Sequence, residues 1–328
     1  MSDPCENAPP EPQAAEPLDA APLCCIVGPT ATGKTALALD VAERLDGEIL
    51  SMDSMLVYRG LDIGTAKPSA QEQARVPHHL IDQVEPHEIY DARRWLDDAR
   101  ARVSDVRSRG RLPIFVGGTG FYLAALLRGL FEAPDPDLAL RAALEQRAES
   151  EGAEVLHAEL ATIDPTAAAR IHANDVRRVV RGLEVHGQTG RTLTDWQREW
   201  NDGPSERVNA ARIVGLHLET PVLDRRIAER TQVMLDAGWR EEALSARERG
   251  LSRSAAQALG YDHILAWADG DASRAETVAA IALRTRQFAR RQRTWYRKFR
   301  VRWIEADAPD RLDRALSVLR GESTESCI

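Results

Sequence analysis

Gly28-Pro29-Thr30-Ala31-Thr32-Gly33-Lys34-Thr35 decides the fold of this 328-residue chain. The spacing is G-x-x-x-x-G-K-[ST]. Before it, Leu23–Gly28 reads as a buried strand; after it, Lys34–Leu45 reads as a helix with Leu37, Val41 and Leu45 on one face. In a strand–loop–helix turn of this kind the backbone N–H groups and the helix N-terminus form an anion cradle. Lys34 adds a point charge, and the Thr35 hydroxyl is a ligand for Mg²⁺. A diphosphate or triphosphate binds such a loop, and the loop alone does not say which.

Working outward, Glu48–Met52 reads as a second strand, about 91–108 as a long amphipathic helix, and Pro113–Val116 as a third strand. Strands separated by helices of this length mark a parallel, doubly wound sheet. From Pro134–Pro136 the pattern turns helical and stays so to about Gln197. Strands return at Arg212–Leu218 and Val301–Ile304. The expected fold is α/β, a P-loop-type parallel sheet core (23–129 and 207–320) with an all-helical insertion domain (130–206). The flanks are a leader (1–22) and a tail (321–328).

Composition bounds the class. With 43% hydrophobic and 29% charged residues the chain supports a real core, and no apolar run approaches the ~18 residues of a membrane span. The leader carries five acids, six prolines and no Lys or Arg, so it reads as a disordered tail rather than a secretory signal. Cys5, Cys24, Cys25 and Cys327 lack disulfide-framework or zinc spacing, and the chain reads as a reducing, cytoplasmic protein. His78 and His79, with no third metal ligand at suitable spacing, read as structural or substrate-loop residues.

A P-loop triphosphatase usually carries a magnesium-holding Asp at a second strand end, but Ile114-Phe-Val116 runs into Gly117-Gly118-Thr119-Gly120. The nearest strand-end acid is Asp53, which serves as a metal ligand, a general base or the cap of the next turn. Hydrolytic machinery is incomplete, so group transfer is the better reading.

Several long runs resemble, in order, the bacterial tRNA dimethylallyltransferases, also called tRNA isopentenyltransferases. They are Asp53–Pro68 (DSMLVYRGLDIGTAKP), Pro77–Asp82 (PHHLID), Val116–Leu123 (VGGTGFYL), Arg170–Asp175 with Arg177-Arg178, Gln257–Tyr261 (QALGY) and Thr285–Trp295 (TRQFARRQRTW). The likeness covers about residues 23–306 and departs from the common pattern at Asp262. It implies transfer of a dimethylallyl group from its diphosphate to N6 of the adenosine immediately 3′ of the anticodon in tRNA. It also implies Mg²⁺ on Thr35, catalytic roles for Asp53, Thr119 and Arg230, and a monomer that grips the tRNA anticodon stem-loop. The tRNA-contacting positions it implies are Asp53, Ser54, Met55, Leu56, Thr119, Arg141, Arg177, Arg178, Val179, Val180, Arg181, Gln257, Gly260, Tyr261, Arg286, Arg290 and Arg291.

The charge pattern points to RNA independently. Formal net charge is −8, yet Arg284, Arg286, Arg290, Arg291, Arg293, Arg297, Lys298, Arg300 and Arg302 follow one another without an acid, interleaved with Phe288, Trp295, Tyr296 and Phe299. Basic residues with stacking platforms suit single-stranded loop recognition. Rival readings are a P-loop kinase of a small metabolite, a prenyltransferase acting on a free adenine nucleotide, and a non-enzymatic RNA-binding module. The first two leave the basic run unexplained, and the third leaves the phosphate loop unexplained.

Overall fold

The computed structural model describes Leu18 and residues 21–130, 134–201 and 206–322. The rest of the leader, the tail from residue 323, Cys5 and Cys327 lie outside the described residues. Six strands form one parallel sheet: β1 Cys24–Val27, β2 Gly47–Ser51, β3 His78–His79, β4 Leu112–Gly117, β5 Arg212–His217 and β6 Arg302–Glu305. Their order is β3-β2-β4-β1-β5-β6. Every residue of β1 is buried, because helices cover both faces of a central parallel strand. It pairs on one side with β4 and on the other with β5, setting Cys25 between Phe115 and Ile213. Cys24 and Cys25 are thus small core residues, and burial raises both thiol pKa values.

Helix Lys34–Leu45 follows the phosphate loop without a break and buries Leu37 and Val41 against the sheet. Helix Arg311–Arg320 adds Leu316 and Leu319 to the same core. Helix Ala92–Ser108 starts where Asp91 caps the Arg94 N–H, and it turns Trp95, Leu96, Ala99 and Val103 inward at i, i+3, i+4 spacing. Trp95 stacks on Tyr122 at 4.3 Å, and its indole N–H donates to the Ser51 carbonyl.

Residues 128–205 form a second compact unit, built of helices and their connections with no strand among its described residues. Helices Leu138–Glu151, Ala153–Ile163 and Val176–Thr189 enclose a core of their own around Leu144, Leu156, Leu160 and Leu183. Among the described residues no helix is long and apolar enough to cross a membrane.

One strand was not expected. β3 has two residues, too few to show alternation, and it exists through its pairing of His78 with Ile49 and His79 with Leu50. Its anchor is the buried Glu48 carboxylate, whose Oε2 lies 2.6 Å from His79 Nε2 and accepts from Arg109 at 2.7 Å. The histidine pair is therefore built into the sheet.

The ends of β2 and β4 approach closely, the Met52 N–H donating to the Val116 carbonyl at 2.8 Å. A Cβ on Gly117 would lie 2.1 Å from the Met52 carbonyl oxygen and 2.4 Å from its carbon, so only glycine fits. Backbone cannot swing aside as a side chain can. Gly117→Ala is therefore expected to destabilise the protein by about 1–3 kcal/mol, the usual range for overpacking. A urea midpoint unchanged from wild type would show that the two strand ends have room to part.

Candidate active site

The C-terminal ends of β1, β2 and β4 open on one cavity of about 450 Å³, the edge at which open α/β sheets bind ligands. From β1 comes the phosphate loop. Gly28 adopts φ +148°, and a Cβ there would press 2.9 Å from the Leu216 carbonyl oxygen. Gly33, at φ +85°, leads the chain into helix Lys34–Leu45. The Thr32 hydroxyl donates to the Pro29 carbonyl at 2.9 Å, and the Lys34 ammonium reaches the same oxygen at 2.8 Å. Thr32 is thus a buried brace of the loop.

From the end of β2 comes Asp53. Its Oδ1 accepts the Met55 N–H at 2.9 Å, so the capping reading is realised, while Oδ2 has no hydrogen-bond partner among the described residues. From the end of β4 comes Thr119, whose Oγ1 accepts the Ser54 N–H at 3.2 Å and whose N–H donates to the Met52 carbonyl. Asp53 and Thr119 are thereby held on adjoining turns. Arg230, on helix Thr220–Asp236, donates to Thr30 Oγ1 at 3.2 Å. The cavity lining joins Asp53 and Arg230, with Thr35, Ser54, Met55, Leu56 and Gln257, to the apolar Ile227, Met234, Ile281 and Phe288, while Thr119 stands behind Ser54.

Electrostatics bind the charged groups into one set. Burial pushes the Lys34 pKa down to about 8; the Arg230 charge adds to that shift and the Asp53 carboxylate opposes it. Burial also lowers the Arg230 pKa, again against Asp53. Two half-desolvated cations facing one carboxylate leave surplus positive charge, the condition for holding an anion. Thr35 and Asp53 offer hard oxygen donors in the same cavity. That suits Mg²⁺, which takes one or two protein oxygens and completes its shell with phosphate and water.

Three further residues brace the site in ways the sequence does not reveal. Gln292, on helix Arg274–Tyr296, accepts the Thr30 N–H at 3.0 Å and donates to the Gly118 carbonyl at 2.9 Å. One turn on, the buried Tyr296 hydroxyl approaches the Gly28 and Gly117 carbonyls. Both sit inside the arginine run, whose charge masks an inward face. Glu242, on helix Trp239–Arg249, accepts the successive N–H groups of Asp62, Ile63 and Gly64 at 2.7–2.9 Å, together with the Tyr261 hydroxyl at 2.6 Å. It thereby ties down the loop whose Gly64, Thr65 and Ala66 line the cavity. Gln292 is signalled by its place between arginines and within the Thr285–Trp295 run, whereas Glu242 carries no such signal.

The positions expected to touch RNA divide. Arg177 and Arg178 are exposed. Arg290 and Arg291 are exposed too, with Arg291 over the Phe288 ring at 5.9 Å, and Arg286 is half-buried. Val179 and Val180 do not belong with them: each is 1% exposed and packs in the helical unit's core, so their side chains offer RNA no surface. Tyr261 is likewise buried, its hydroxyl spent on Glu242, and Gly260 is the tight φ +94° turn against Trp239 that precedes it. Arg141 and Arg181 both reach Oε2 of the fully buried Glu184 at 2.7 Å. Their first duty is to neutralise that carboxylate. Asp262 pairs with Arg284, neutralising one member of the basic run.

The sheet, the loop and its cavity define an α/β P-loop protein carrying a helical insertion. Comparison with known proteins narrows this. The IPP transferase family model matches residues 56–299. The tRNA dimethylallyltransferase of Methylococcus capsulatus is 47% identical over 91% of this chain and 97% of its own length. That of Chromohalobacter salexigens is 45% identical over 93% and 99%. Among solved structures, the full-length tRNA isopentenylpyrophosphate transferase of Bacillus halodurans is 38% identical with a TM-score of 0.65, covering 92% of this chain and 95% of that one. A eukaryotic dimethylallyltransferase acting on tRNA is 26% identical with a TM-score of 0.72, covering 91% and 77%. The chain belongs to the IPP transferase family.

The depressed pKa of Lys34 has a measurable consequence. An anion in the loop favours the charged ammonium, so binding takes up a proton once the free lysine has begun to lose its own. Affinity for inorganic diphosphate should hold below pH 8 and fall above it by up to about tenfold per pH unit. Lys34→Ala should bind more weakly and lose this dependence, leaving only the titration of the ligand itself. Calorimetry between pH 7 and 9.5 checks both. Parallel profiles for wild type and variant would remove Lys34 from the anion site.

Proposed function

We infer that this chain transfers the dimethylallyl group of dimethylallyl diphosphate to N6 of the adenosine immediately 3′ of the anticodon in tRNA. The observation that carries the reading is the convergence of a phosphate loop and an unpaired Asp53 Oδ2 on one cavity. The names of relatives at 45–47% identity supply the transferred group and the tRNA. Because the adenine amine's lone pair is delocalised into the ring, N6 is a weak nucleophile. As the N6–C1 bond forms, the C1–O bond to the diphosphate breaks and N6 gives up a proton. Asp53 Oδ2 receives that proton. Lys34, Arg230 and the loop's N–H groups meet the charge that grows on the leaving diphosphate. Mg²⁺, held through Thr35, would supply further charge neutralisation there. Thr119, fixed beside Asp53 through the Ser54 N–H, orients the adenosine.

On this reading the apolar residues Ile227, Met234, Ile281 and Phe288 shelter the prenyl group from water. The exposed Arg177, Arg178, Arg290 and Arg291 neutralise tRNA phosphates. One chain carries every group invoked, so a monomer suffices, and it works where tRNA does, in the cytoplasm. A kinase reading would need a reason for the exposed arginines, and none presents itself.

Two experiments test this. Asp53→Asn keeps the side chain's shape and its acceptor for the Met55 N–H but removes the base. It should lower the single-turnover rate by ~10²–10⁴, the usual worth of general-base catalysis, with little change in binding of either substrate. A rate within threefold of wild type rules Asp53 out as the base. Secondly, if Arg177 and Arg178 touch phosphates, replacing both by Ala should make the log–log salt dependence of tRNA binding shallower by up to ~1.4, at about 0.7 per contact in a single-stranded region. Affinity for dimethylallyl diphosphate should not change. Filter binding at several salt concentrations decides, and an unchanged slope with unchanged affinity defeats the assignment.

A further inference from the structure

We propose that Gln292 makes the phosphate loop selective for a diphosphate over a triphosphate, by occupying the donor that a third phosphate would need. The inference rests on the donor reading above and goes beyond it, since a G-x-x-x-x-G-K-T loop serves either ligand. An anion lying along such a loop takes its inner phosphate from the amides at the head of the helix, and each further phosphate draws on amides nearer the loop's start. Here the start of the loop is closed. Pro29 has no N–H. The Thr30 N–H is already given to Gln292 Oε1 at 3.0 Å, and the Thr30 hydroxyl oxygen holds the Arg230 guanidinium at 3.2 Å.

The arrangement is locked rather than incidental. Gln292 is 4% exposed, and its amide can face only one way, because its Nε2 donates to the Gly118 carbonyl at 2.9 Å. A Cβ on Gly118 would lie 2.2 Å from that nitrogen, so glycine at 118 is what lets the amide in. Freeing the Thr30 N–H would strand a buried carboxamide oxygen, a desolvation cost a ligand must overcome. What remains, the amides beyond Thr30 with Lys34 and Arg230, suits two phosphates.

The test is calorimetric, on the full-length chain with Mg²⁺, comparing inorganic diphosphate with inorganic tripolyphosphate. Charge alone favours the tripolyphosphate, so a preference for diphosphate needs a structural cause. Wild type should prefer diphosphate by about tenfold or more, the worth of one hydrogen bond to a charged group. Gln292→Ala and the smaller polar change Gln292→Ser should bring the ratio towards unity by gaining affinity for tripolyphosphate. Wild type binding the two ligands within twofold overturns the proposal, and it does so even if neither variant folds. Variants that lose both affinities equally overturn it too, because Gln292 would then merely shape the loop. Failure of wild type to bind diphosphate at all counts against the donor reading itself, and the selectivity falls with it.

Discussion

The missing side chain at Gly117 is the constraint from which the site hangs. Because no Cβ stands there, the Met52 backbone comes against the end of β4, and three hydrogen bonds follow in sequence. Met52 donates to Val116, Thr119 donates back to Met52, and Ser54 donates to Thr119 Oγ1. Asp53 lies between the first and last of these. Its carboxylate is therefore aimed by main chain on both sides, and a group held by backbone loses little freedom when a substrate arrives.

A second economy lies in helix Arg274–Tyr296. At 3.6 residues per turn a helix presents different residues to different neighbours, and this one uses the property fully. Gln292 and Tyr296 face the phosphate loop and the end of β4, while Arg290 and Arg291 stay in solvent. The same rigid element thus contacts the phosphate loop on one side and presents cations on another. Arg293 illustrates how position along the run overrides charge: it donates to the Leu218 carbonyl and braces the connection after β5.

Much of this was legible in the sequence. The phosphate loop, the strands around it and helix Lys34–Leu45 were readable because loop spacing and hydrophobic period are local properties. Asp53 was legible because a lone acid at a strand end is conspicuous. What stayed hidden is what depends on distant partners. β3 exists only through β2, and Glu242 matters only because residues 62–64 fold back onto it. Val179 and Val180 were grouped with the arginines around them, although the period of helix Val176–Thr189 buries them. Arg141 and Arg181 read as free charge because the buried Glu184 that claims them sits out of view in a one-dimensional reading.

The long reach of Glu242 and Gln292 also fixes when the site comes into being. The loop at 62–64 waits for a carboxylate 178–180 positions later, and the phosphate loop waits for an amide 262 positions later. A ribosome adds about 5–20 residues per second, so many seconds separate synthesis of the first strand from arrival of the residues that brace it. Throughout that interval the nascent chain holds the glycine-rich turn without its clamp and the cavity without one wall. Substrate competence therefore arrives abruptly, once residue 292 has been added, and a chain cut short before it has the motif but not the machinery.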